Sequence, residues 1–493
     1  MIVVSSCSNA PLKRPNILIA ISDDQSFPHA SAYGLTGIQT PSFDRVASQG
    51  VLFTNAFAAS PGCSPSRASL LTGLQPWQLE QAGTHASSFP SRFTVYPDLF
   101  EKVGYFVGYT GKGWVPGNWK VGGWQRNPAG PEYNKRTLSS VPPGIEKVDY
   151  FSNFQDFFEA KAPDQPFCFW FGSHEPHRGF APQSSVRSEK RLENILVPPF
   201  LPDTRETRMD LLSYFIEIEW FDRHLGMMLD LLEQEGELKN TLVLVTSDNG
   251  MAFPSAKANL YEYGIHVPMA VSWPARFPDG RVVDKLVSLT DIAPTFLEAS
   301  GINQESTLMS GRSFLSLLEG NNNTDDPPRK SVVAGRERHS SSRHLNLGYP
   351  SRAIRTEKFL YIHNFSPQRW PAGAPQKIEE NGQLGPMHDA YHDIDTAPTL
   401  SLLIKRRNDP QIKRYFQLAV SKRPSEELFQ VISDPGCLVN LANDSKYTTV
   451  KNQLSEKLER YLTQTDDPRI GPDGEIFETY PRYLHMRKFP PSP

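Results

Sequence analysis

Short apolar runs and one long amphipathic segment alternate along the first half of the chain. Asn16 to Ser22 reads NILIAIS and is followed by two aspartates, which predicts a buried strand of a parallel sheet. The runs Phe167 to Gly172 (FCFWFG) and Thr241 to Thr246 (TLVLVT) have the same character. Between these two runs, Arg208 to Glu235 carries apolar residues at helical spacing, which predicts a long amphipathic helix. Strand, helix and strand in that order predict a crossover unit in an α/β sheet.

The pattern changes near residue 320, where turn-forming residues are densest. Gly320 to Arg329 reads GNNNTDDPPR and predicts a linker. Beyond it, the segment Ser351 to His363 contains the strand-like KFLYIH, and Lys446 to Leu462 predicts a terminal helix. The second part of the chain therefore has its own, more mixed pattern of helix and strand.

Length and composition narrow the class of protein. At 493 residues the chain exceeds the size at which one hydrophobic core keeps growing. We therefore expect an N-terminal segment over residues 1–13, a large α/β domain over residues 14–330 and a smaller α+β domain over residues 331–493. The net charge of −3 gives no electrostatic case for a nucleic-acid partner. No apolar run approaches the roughly 20 residues that span a bilayer, so we expect no transmembrane span.

The cysteines suggest two separate interpretations. Four are too few and too scattered for a disulfide framework or a zinc site, although one disulfide stays open. Val4-Ser5-Ser6-Cys7 resembles the end of a bacterial lipoprotein signal, in which the cysteine is lipidated. That interpretation predicts an extracytoplasmic protein, periplasmic or anchored by lipid at the cell surface. The alternative is an unstructured N-terminus.

Oxygen-bearing side chains follow two of the predicted strands. Asp23 and Asp24 come directly after the first strand, and Asp248 and Asn249 follow the TLVLVT run. Ligands of open parallel sheets bind beyond the carboxyl ends of the strands, so these residues are expected to lie together. Three carboxylates and an amide oxygen suit calcium or magnesium far better than zinc. Each segment alone also fits a solvated turn.

A second chemical motif begins at Cys63 and reads Cys-Ser-Pro-Ser-Arg. Pro65 can occupy the first turn of a helix, because its missing N–H would be unpaired there. The free N–H groups of that turn would point at an anion, and Arg67 would add a forked cationic donor. A generic helix start explains the proline and serines but not the whole combination, which ends in Thr72-Gly73.

This motif resembles the signature of the formylglycine-dependent (type I) sulfatases. In that family a maturing enzyme converts the cysteine to an aldehyde, which hydrates to a geminal diol. The resemblance implies an alkaline-phosphatase-like sulfatase fold, with a large, mostly parallel central sheet flanked by helices and a smaller C-terminal α+β domain. It also implies one Ca²⁺ and a formylglycine-generating enzyme as a partner. The implied metal ligands are Asp23, Asp24, Cys63, Asp248 and Asn249.

The same resemblance assigns catalytic roles. The basic side chains would neutralise the sulfate, and one hydroxyl of the diol would attack sulfur. His174 or His177, in the HEPHR segment, would protonate the leaving atom, although a surface loop is the alternative interpretation of that segment. The second hydroxyl would permit release of sulfate, which a plain cysteine cannot. The implied catalytic residues are Cys63, Arg67, Lys112, His174, His177 and Lys257.

One position departs from the family pattern. Many sulfatases have a histidine two residues after the matching lysine, where this chain has Trp114. His85, His177 or His266 could replace it, and the sequence does not choose among them.

Within the family, three stretches resemble the heparan N-sulfatase group: 174–178, 247–261 and 348–356. Arg352, from the smaller domain, could reach a second anionic group of the substrate, or it could form an interdomain ion pair. The expected substrate is a sulfated oligosaccharide or polysaccharide, with N-sulfated glucosamine first and O-sulfated glycans as the alternative. The candidate substrate-binding residues are His85, His266, His339 and Arg352.

Two other classes compete with this interpretation. A phosphatase or phosphonate hydrolase on the same scaffold would prefer a serine or threonine nucleophile and two metal ions held partly by histidines. An inactive, glycan-binding relative is the second rival. The all-oxygen ligand set and the intact Cys63 and Arg67 favour the sulfatase over both.

Overall fold

The computed structural model describes residues 14–180, 190–277, 280–303, 308–320 and 329–491. The N-terminal segment with Cys7 and most of the predicted linker at 320–329 lie outside these ranges.

The first part of the chain contains eight strands and eight helices in its described residues. In chain order they are β1 (Asn16–Ser22), α1 (Pro41–Ser48), β2 (Val51–Phe57), α2 (Cys63–Thr72), α3 (Tyr96–Lys102), β3 (Phe106–Gly111), α4 (Tyr150–Ala160), β4 (Phe167–Gly172), α5 (Arg205–Gln234), β5 (Thr241–Ser247), α6 (Glu262–Ile265), β6 (His266–Ser272), β7 (Arg281–Val283), β8 (Val287–Ser288), α7 (Ile292–Ala299) and α8 (Leu315–Glu319).

These strands form one sheet in the order β3-β4-β1-β5-β6-β2-β7, with β8 also beside β2. Only β6 runs antiparallel to its neighbours among the described pairings, so the sheet is mostly parallel. Successive residues of β1 enter different cores: Ile17, Ile19 and Ile21 pack on one face, and Leu18 and Ala20 on the other. Burial on both faces explains why this strand is a continuous apolar run. The predicted α/β sheet is confirmed.

The crossover between β4 and β5 is made by α5, and its predicted bounds are correct to within three residues at each end. The helix begins after Thr204, whose side chain accepts a hydrogen bond from the Thr207 N–H. Its buried face packs against α1 and α4. No helix among the described residues is long and apolar enough to cross a membrane.

The second part of the chain builds a smaller sheet. Its elements are β9 (Ser331–Arg336), β10 (Ser351–Thr356), β11 (Phe359–Asn364), α9 (Pro398–Lys405), α10 (Lys413–Val420), β12 (Glu426–Gln430), α11 (Thr448–Gln464) and α12 (Ile476–Thr479). The strands are antiparallel in the order β12-β11-β10-β9, and α11 packs on them through Leu454, Leu458 and Leu462. The predicted KFLYIH strand and terminal helix are therefore confirmed, as β11 and α11.

The two sheets share a core. Phe57 and Ile265, from the first part, cluster with Val332 and Ala353, from the second. The boundary near residue 330 stays a prediction, but this shared core fixes the loops of the second part over the first.

Candidate active site

The candidate catalytic residues lie at one edge of the larger sheet, where four neighbouring strands end. The residue pairs Gly111–Gly172, Ile21–Gly172 and Ser22–Ser247 align across β3, β4, β1 and β5. The side chains that follow these strands therefore converge. They are Asp23, Asp24, Lys112, His174, Asp248 and Asn249.

The oxygen-rich cluster predicted from the sequence is present. One oxygen from each of Asp23, Asp24 and Asp248 lies within 4.8 Å of the others. Asn249 donates its amide Nδ2–H to Asp24 Oδ1 at 2.7 Å, while its Oδ1 is buried and has no hydrogen-bond partner among the residues that the structure describes. An orphaned amide oxygen beside three buried carboxylates is a donor set that a hard cation satisfies. These residues fit Ca²⁺ or Mg²⁺.

Three cations face these carboxylates. Lys112 pairs with Asp23, Lys257 Nζ lies 2.6 Å from Asp24 Oδ2, and Arg67 Nε lies 2.8 Å from Asp248 Oδ2. Burial opposes ionisation of Asp23, but the surrounding cations, Lys112 first, hold its pKa well below the usual range. Burial raises the pKa of Asp248 to about 7 despite Arg67. The cluster therefore carries closely balanced charge.

Cys63 opens α2 beside this cluster, as the motif predicts. Its Sγ lies 3.5 Å from Asp23 Oδ1 and 3.8 Å from Asp24 Oδ1, and the side chain is fully buried. Burial and then the charge of Asp23 raise the pKa of the thiol well above its usual value. The unmodified sulfur is therefore protonated at neutral pH and is a poor nucleophile. Arg67, one turn on, donates to the Lys112 carbonyl at 2.7 Å, which ties α2 to the end of β3.

A pocket of about 410 Å³ adjoins Asp23 and Lys112. Both parts of the chain line it, and it brings together seven of the fourteen predicted site residues. From the first part come Asp23, His85, Lys112, His174, His177 and Lys257, and from the second come His339, His392, Asp395, Arg482 and Arg487.

Two of the predicted substrate-binding histidines stand side by side in this wall. The rings of His85 and His339 stack with centroids 4.5 Å apart. They lie against Gly62, where an added Cβ would come within 3.0 Å of His339 Nδ1. The absence of a side chain at that residue therefore lets the histidine pair approach the start of α2.

The pocket histidines differ in how deeply they are buried. Burial lowers the pKa of His174 to about 4 and that of His339 to about 3, and it lowers the pKa of His85 well below its usual value. These three rings are neutral at pH 7. His177 differs because its side chain is 37% exposed, with Nε2 3.9 Å from Asp24 Oδ2.

Trp114 does not leave a gap at the position where many sulfatases have a histidine. Its side chain is fully buried, donates Nε1–H to the Ser64 carbonyl at 3.0 Å and packs against Phe89. The indole therefore supports α2 from the core side. The pocket is supplied with histidines from other segments.

His266 is not in the pocket, which corrects the expectation that it binds substrate. Its ring stacks between Phe27 and Phe57 at centroid distances of 4.1 and 4.5 Å. Its Nε2 lies 3.0 Å from the Thr54 carbonyl, and its Nδ1 faces Glu262. Both nitrogens have partners inside the core, so this histidine supports the packing of β6.

Arg352 is also outside the pocket, and neither alternative drawn from the sequence describes it. It is 1% exposed, with Nε 2.6 Å from Asp467 and Nη2 2.8 Å from Glu337. Both carboxylates belong to the second part of the chain, so the ion pairs are not interdomain. The guanidinium also stacks on Trp77, from the first part, at 4.9 Å.

Replacing Arg352 with methionine should therefore cost stability without altering substrate recognition. Two buried carboxylates would lose a partner, which costs about 3–5 kcal/mol. Chemical denaturation would measure the free energy of unfolding, with Arg414→Met on exposed α10 as the control. A raised KM with unchanged stability would contradict the buried role.

Of the contributions that the second part makes to this pocket, sequence reasoning had named only His339 and missed the others. Asp395 Oδ2 lies 3.2 Å from Lys257 Nζ, and Asp393 holds the preceding turn through Arg336 and Arg343. Asp393 and Asp395 lie more than 130 positions from Lys257 in the chain, and no sequence motif connects them to it. The one available signal was the basic stretch that begins at Arg482 in a chain of nearly balanced charge.

The fold and the site are those of a hydrolase that acts on an anionic group. A model of the sulfatase family matches residues 15–302, more than half of the chain, and the chain belongs to that family. A second model, described as N-sulphoglucosamine sulphohydrolase, C-terminal, matches residues 255–372.

Individual relatives of the chain are also sulfatases, and their names refer to different substrates. N-sulphoglucosamine sulphohydrolase of Homo sapiens is 29% identical over 97% of this chain and 95% of its own length. An ulvan-active sulfatase of Formosa agariphila is 24% identical over 94% of this chain and 77% of its own. A solved structure in complex with its substrate, D-glucosamine-2-N,6-O-disulfate, has a TM-score of 0.63 and 19% identity, covering 92% of this chain and 99% of that one. The last likeness shows the fold alone. Together they support a sulfatase that acts on sulfated glycans.

Proposed function

We propose that the protein hydrolyses the sulfamate of N-sulfated glucosamine. The reaction is supported by one juxtaposition: Cys63 Sγ lies 3.5 Å from a carboxylate of the candidate metal cluster, beside a pocket lined with cations. The choice of substrate is supported by the match of the N-sulphoglucosamine sulphohydrolase model over residues 255–372, which include Lys257 and His339 of the pocket wall.

We also propose a calcium ion and a formylglycine for this site. Asp23, Asp24, Asp248 and Asn249 would hold the ion, with residue 63 next to them. When bound, Ca²⁺ supplies positive charge beside the sulfate oxygens. A formylglycine-generating enzyme would act on Cys63, and the hydrated aldehyde would supply both the attacking hydroxyl and the second hydroxyl needed for sulfate release.

The chain's own residues position and neutralise the sulfate in this scheme. Lys112 and Lys257 pair with Asp23 and Asp24, and a cation on those carboxylates would free both ammonium groups for the substrate. His174, neutral at pH 7, would hold an oxygen of the sulfate by a hydrogen bond. His177, the more exposed ring, would give the proton to the leaving nitrogen.

An extracytoplasmic location completes the proposal, because sulfated glycans occur outside cells and Val4-Ser5-Ser6-Cys7 resembles a lipoprotein signal. Mass spectrometry of native material would test it. An unlipidated Cys7 in membrane-free extract would count against the anchor.

Sulfate release from defined sugars tests the substrate. Glucosamine and uronate sugars sulfated at N, 2-O, 3-O or 6-O would each be incubated with calcium and enzyme co-expressed with a maturing enzyme, with the aldehyde confirmed by peptide mass spectrometry. We expect release from the N-sulfated glucosamine. Release only from O-sulfated sugars would support the proposed reaction but reject the sulfamate as the substrate. The similarity to an ulvan-active sulfatase is the reason for including this alternative. No release from any sugar, with the aldehyde present, would favour a glycan-binding protein.

A further inference from the structure

The pocket contains five lysine and arginine side chains, and they differ in their partners. Lys112, Lys257 and Arg178 are each paired with a buried carboxylate, the last with Asp210 at 2.5 Å. Arg482 and Arg487 have no carboxylate within 4.0 Å among the residues that the structure describes. Neither arginine is therefore directly paired with a carboxylate of the described residues.

These two arginines are close together and partly buried. Arg482 donates to the His339 carbonyl at 3.2 Å, and its Nε is buried with no partner in the described part of the chain. Burial lowers the pKa of Arg482 to about 10, Asp393 opposes this, and the nearby charge of Arg487 lowers it further. Arg482 therefore remains protonated at neutral pH. The repulsion between Arg482 and Arg487 would be relieved by an anion.

A neutral donor stands beside them. His392 lines the same end of the pocket, and its Nε2 is buried without a hydrogen-bond partner among the described residues. Burial and then the charge of Arg487 lower its pKa to about 4. Two cations and an unsatisfied imidazole nitrogen together form a set of donors that matches the oxygens of a sulfate or carboxylate.

The segment that carries the arginines is fixed in place. The Tyr483 N–H donates to the Ala86 carbonyl at 2.8 Å, next to His85. The Arg487 N–H donates to Ser341 Oγ at 2.9 Å, and Phe489 is buried. These contacts tie both arginines to the segments that hold the stacked histidine pair. The donors are therefore preorganised rather than on a free tail.

We propose that Arg482, Arg487 and His392 form a subsite for a second anionic group on the substrate, a sulfate ester or a uronate carboxylate. The subsite rests on the proposed function, since the first anion is the sulfate beside Cys63. It takes the role that the sequence had suggested for Arg352. The substrate class thereby becomes an N-sulfated glucosamine that carries, or is linked to, another negative charge.

Binding to the full-length Cys63→Ala protein separates recognition from chemistry. Isothermal titration calorimetry would compare four ligands: glucosamine N-sulfate, glucosamine 6-O-sulfate, glucosamine N,6-O-disulfate, and N-sulfated glucosamine linked to a uronate. We expect the second anion to tighten binding about tenfold, which corresponds to one or two charge-assisted hydrogen bonds. The disulfate and the uronate disaccharide distinguish the two sources of charge.

Arg482→Gln and Arg487→Gln, singly and together, should reduce this tenfold ratio to near one, with Arg414→Gln as the matched control. Thermal unfolding of each variant would separate lost recognition from lost folding. In the unsubstituted protein the gain in affinity from the second anion should also be smaller at high salt than at low salt. This measurement tests the subsite without any variant. A ratio that stays tenfold in the double variant, or that is one in the unsubstituted protein, overturns the subsite.

The same set of ligands separates failure of the subsite from failure of the proposed function. If the N-sulfate is not hydrolysed by the mature enzyme but the arginine-dependent ratio holds, the substrate assignment is wrong and the subsite stands. If the N-sulfate is hydrolysed and the ratio does not depend on the arginines, the subsite is wrong and the function stands.

Discussion

Replacing Cys63 with alanine is expected to lower kcat for sulfate release by at least about 10⁴-fold, the scale at which loss of a nucleophile acts. The fully buried residue contacts Asp23 and Asp24 through sulfur alone, so the smaller alanine leaves the other side chains of the cluster in place. Sulfate release measured by ion chromatography, with thermal unfolding of the same samples, would show loss of activity without loss of fold.

A second buried cysteine provides the control. Cys168 lies in β4 within the core, away from the pocket, so Cys168→Ala should lower the melting temperature and keep sulfate release. Equal loss of activity in the two variants would mean that the effect comes from packing. Residual turnover above about 1% in Cys63→Ala would indicate a different nucleophile.

Removal of the proposed calcium ion is expected to have the second largest effect on sulfate release. Three buried carboxylates with oxygens within 4.8 Å of one another repel, and in the metal-free site Lys112 and Lys257 balance part of that charge. A ligand present at 100 times its dissociation constant stabilises the folded state by about 2.7 kcal/mol. For a chain of this size we expect chelation to lower the melting temperature by about 3 °C and to stop sulfate release.

Differential scanning fluorimetry with added Ca²⁺, Mg²⁺ or Zn²⁺ would check this prediction. Ca²⁺ should restore both properties, and Zn²⁺ should not, because Asp23, Asp24, Asp248 and Asn249 offer only oxygen ligands. Asp24→Asn should abolish the calcium shift, whereas Asp230→Asn, at an exposed position of α5, should keep it. A melting temperature that changes with neither chelator nor added calcium would exclude a structural metal.

The parts of the fold that were predictable from sequence are those with one unambiguous environment. β1, β4 and β5 are buried on both faces, so each appears as an uninterrupted apolar run. The mixed run VLFTNAF of β2 lies nearer the sheet edge, with Thr54 and Asn55 partly exposed at a shift in register, and it carried no comparable signal.

The residues of the site also differ in how well the sequence predicted their positions. Residues that directly follow a strand end, such as Asp23 and Asp248, were placed correctly because the sheet brings those ends together. His266 lies in the apolar stretch GIHVPMAV and His339 in the polar stretch RERHSSSR, and the structure encloses the first between Phe27 and Phe57 while the second lines the pocket. Phe27 and Phe57 are more than 200 positions from His266 in the chain, so the sequence could not show which rings enclose it.

The anchoring of residues 480–491 has a practical consequence for purified protein. Proteolytic trimming after Tyr480 would remove Arg482 and Arg487 but would leave Cys63 and the carboxylates intact. A partly trimmed preparation would then contain two active species with different affinities for a doubly charged sugar. Its saturation curve would be biphasic and could be mistaken for negative cooperativity, so intact mass should be verified before such curves are fitted.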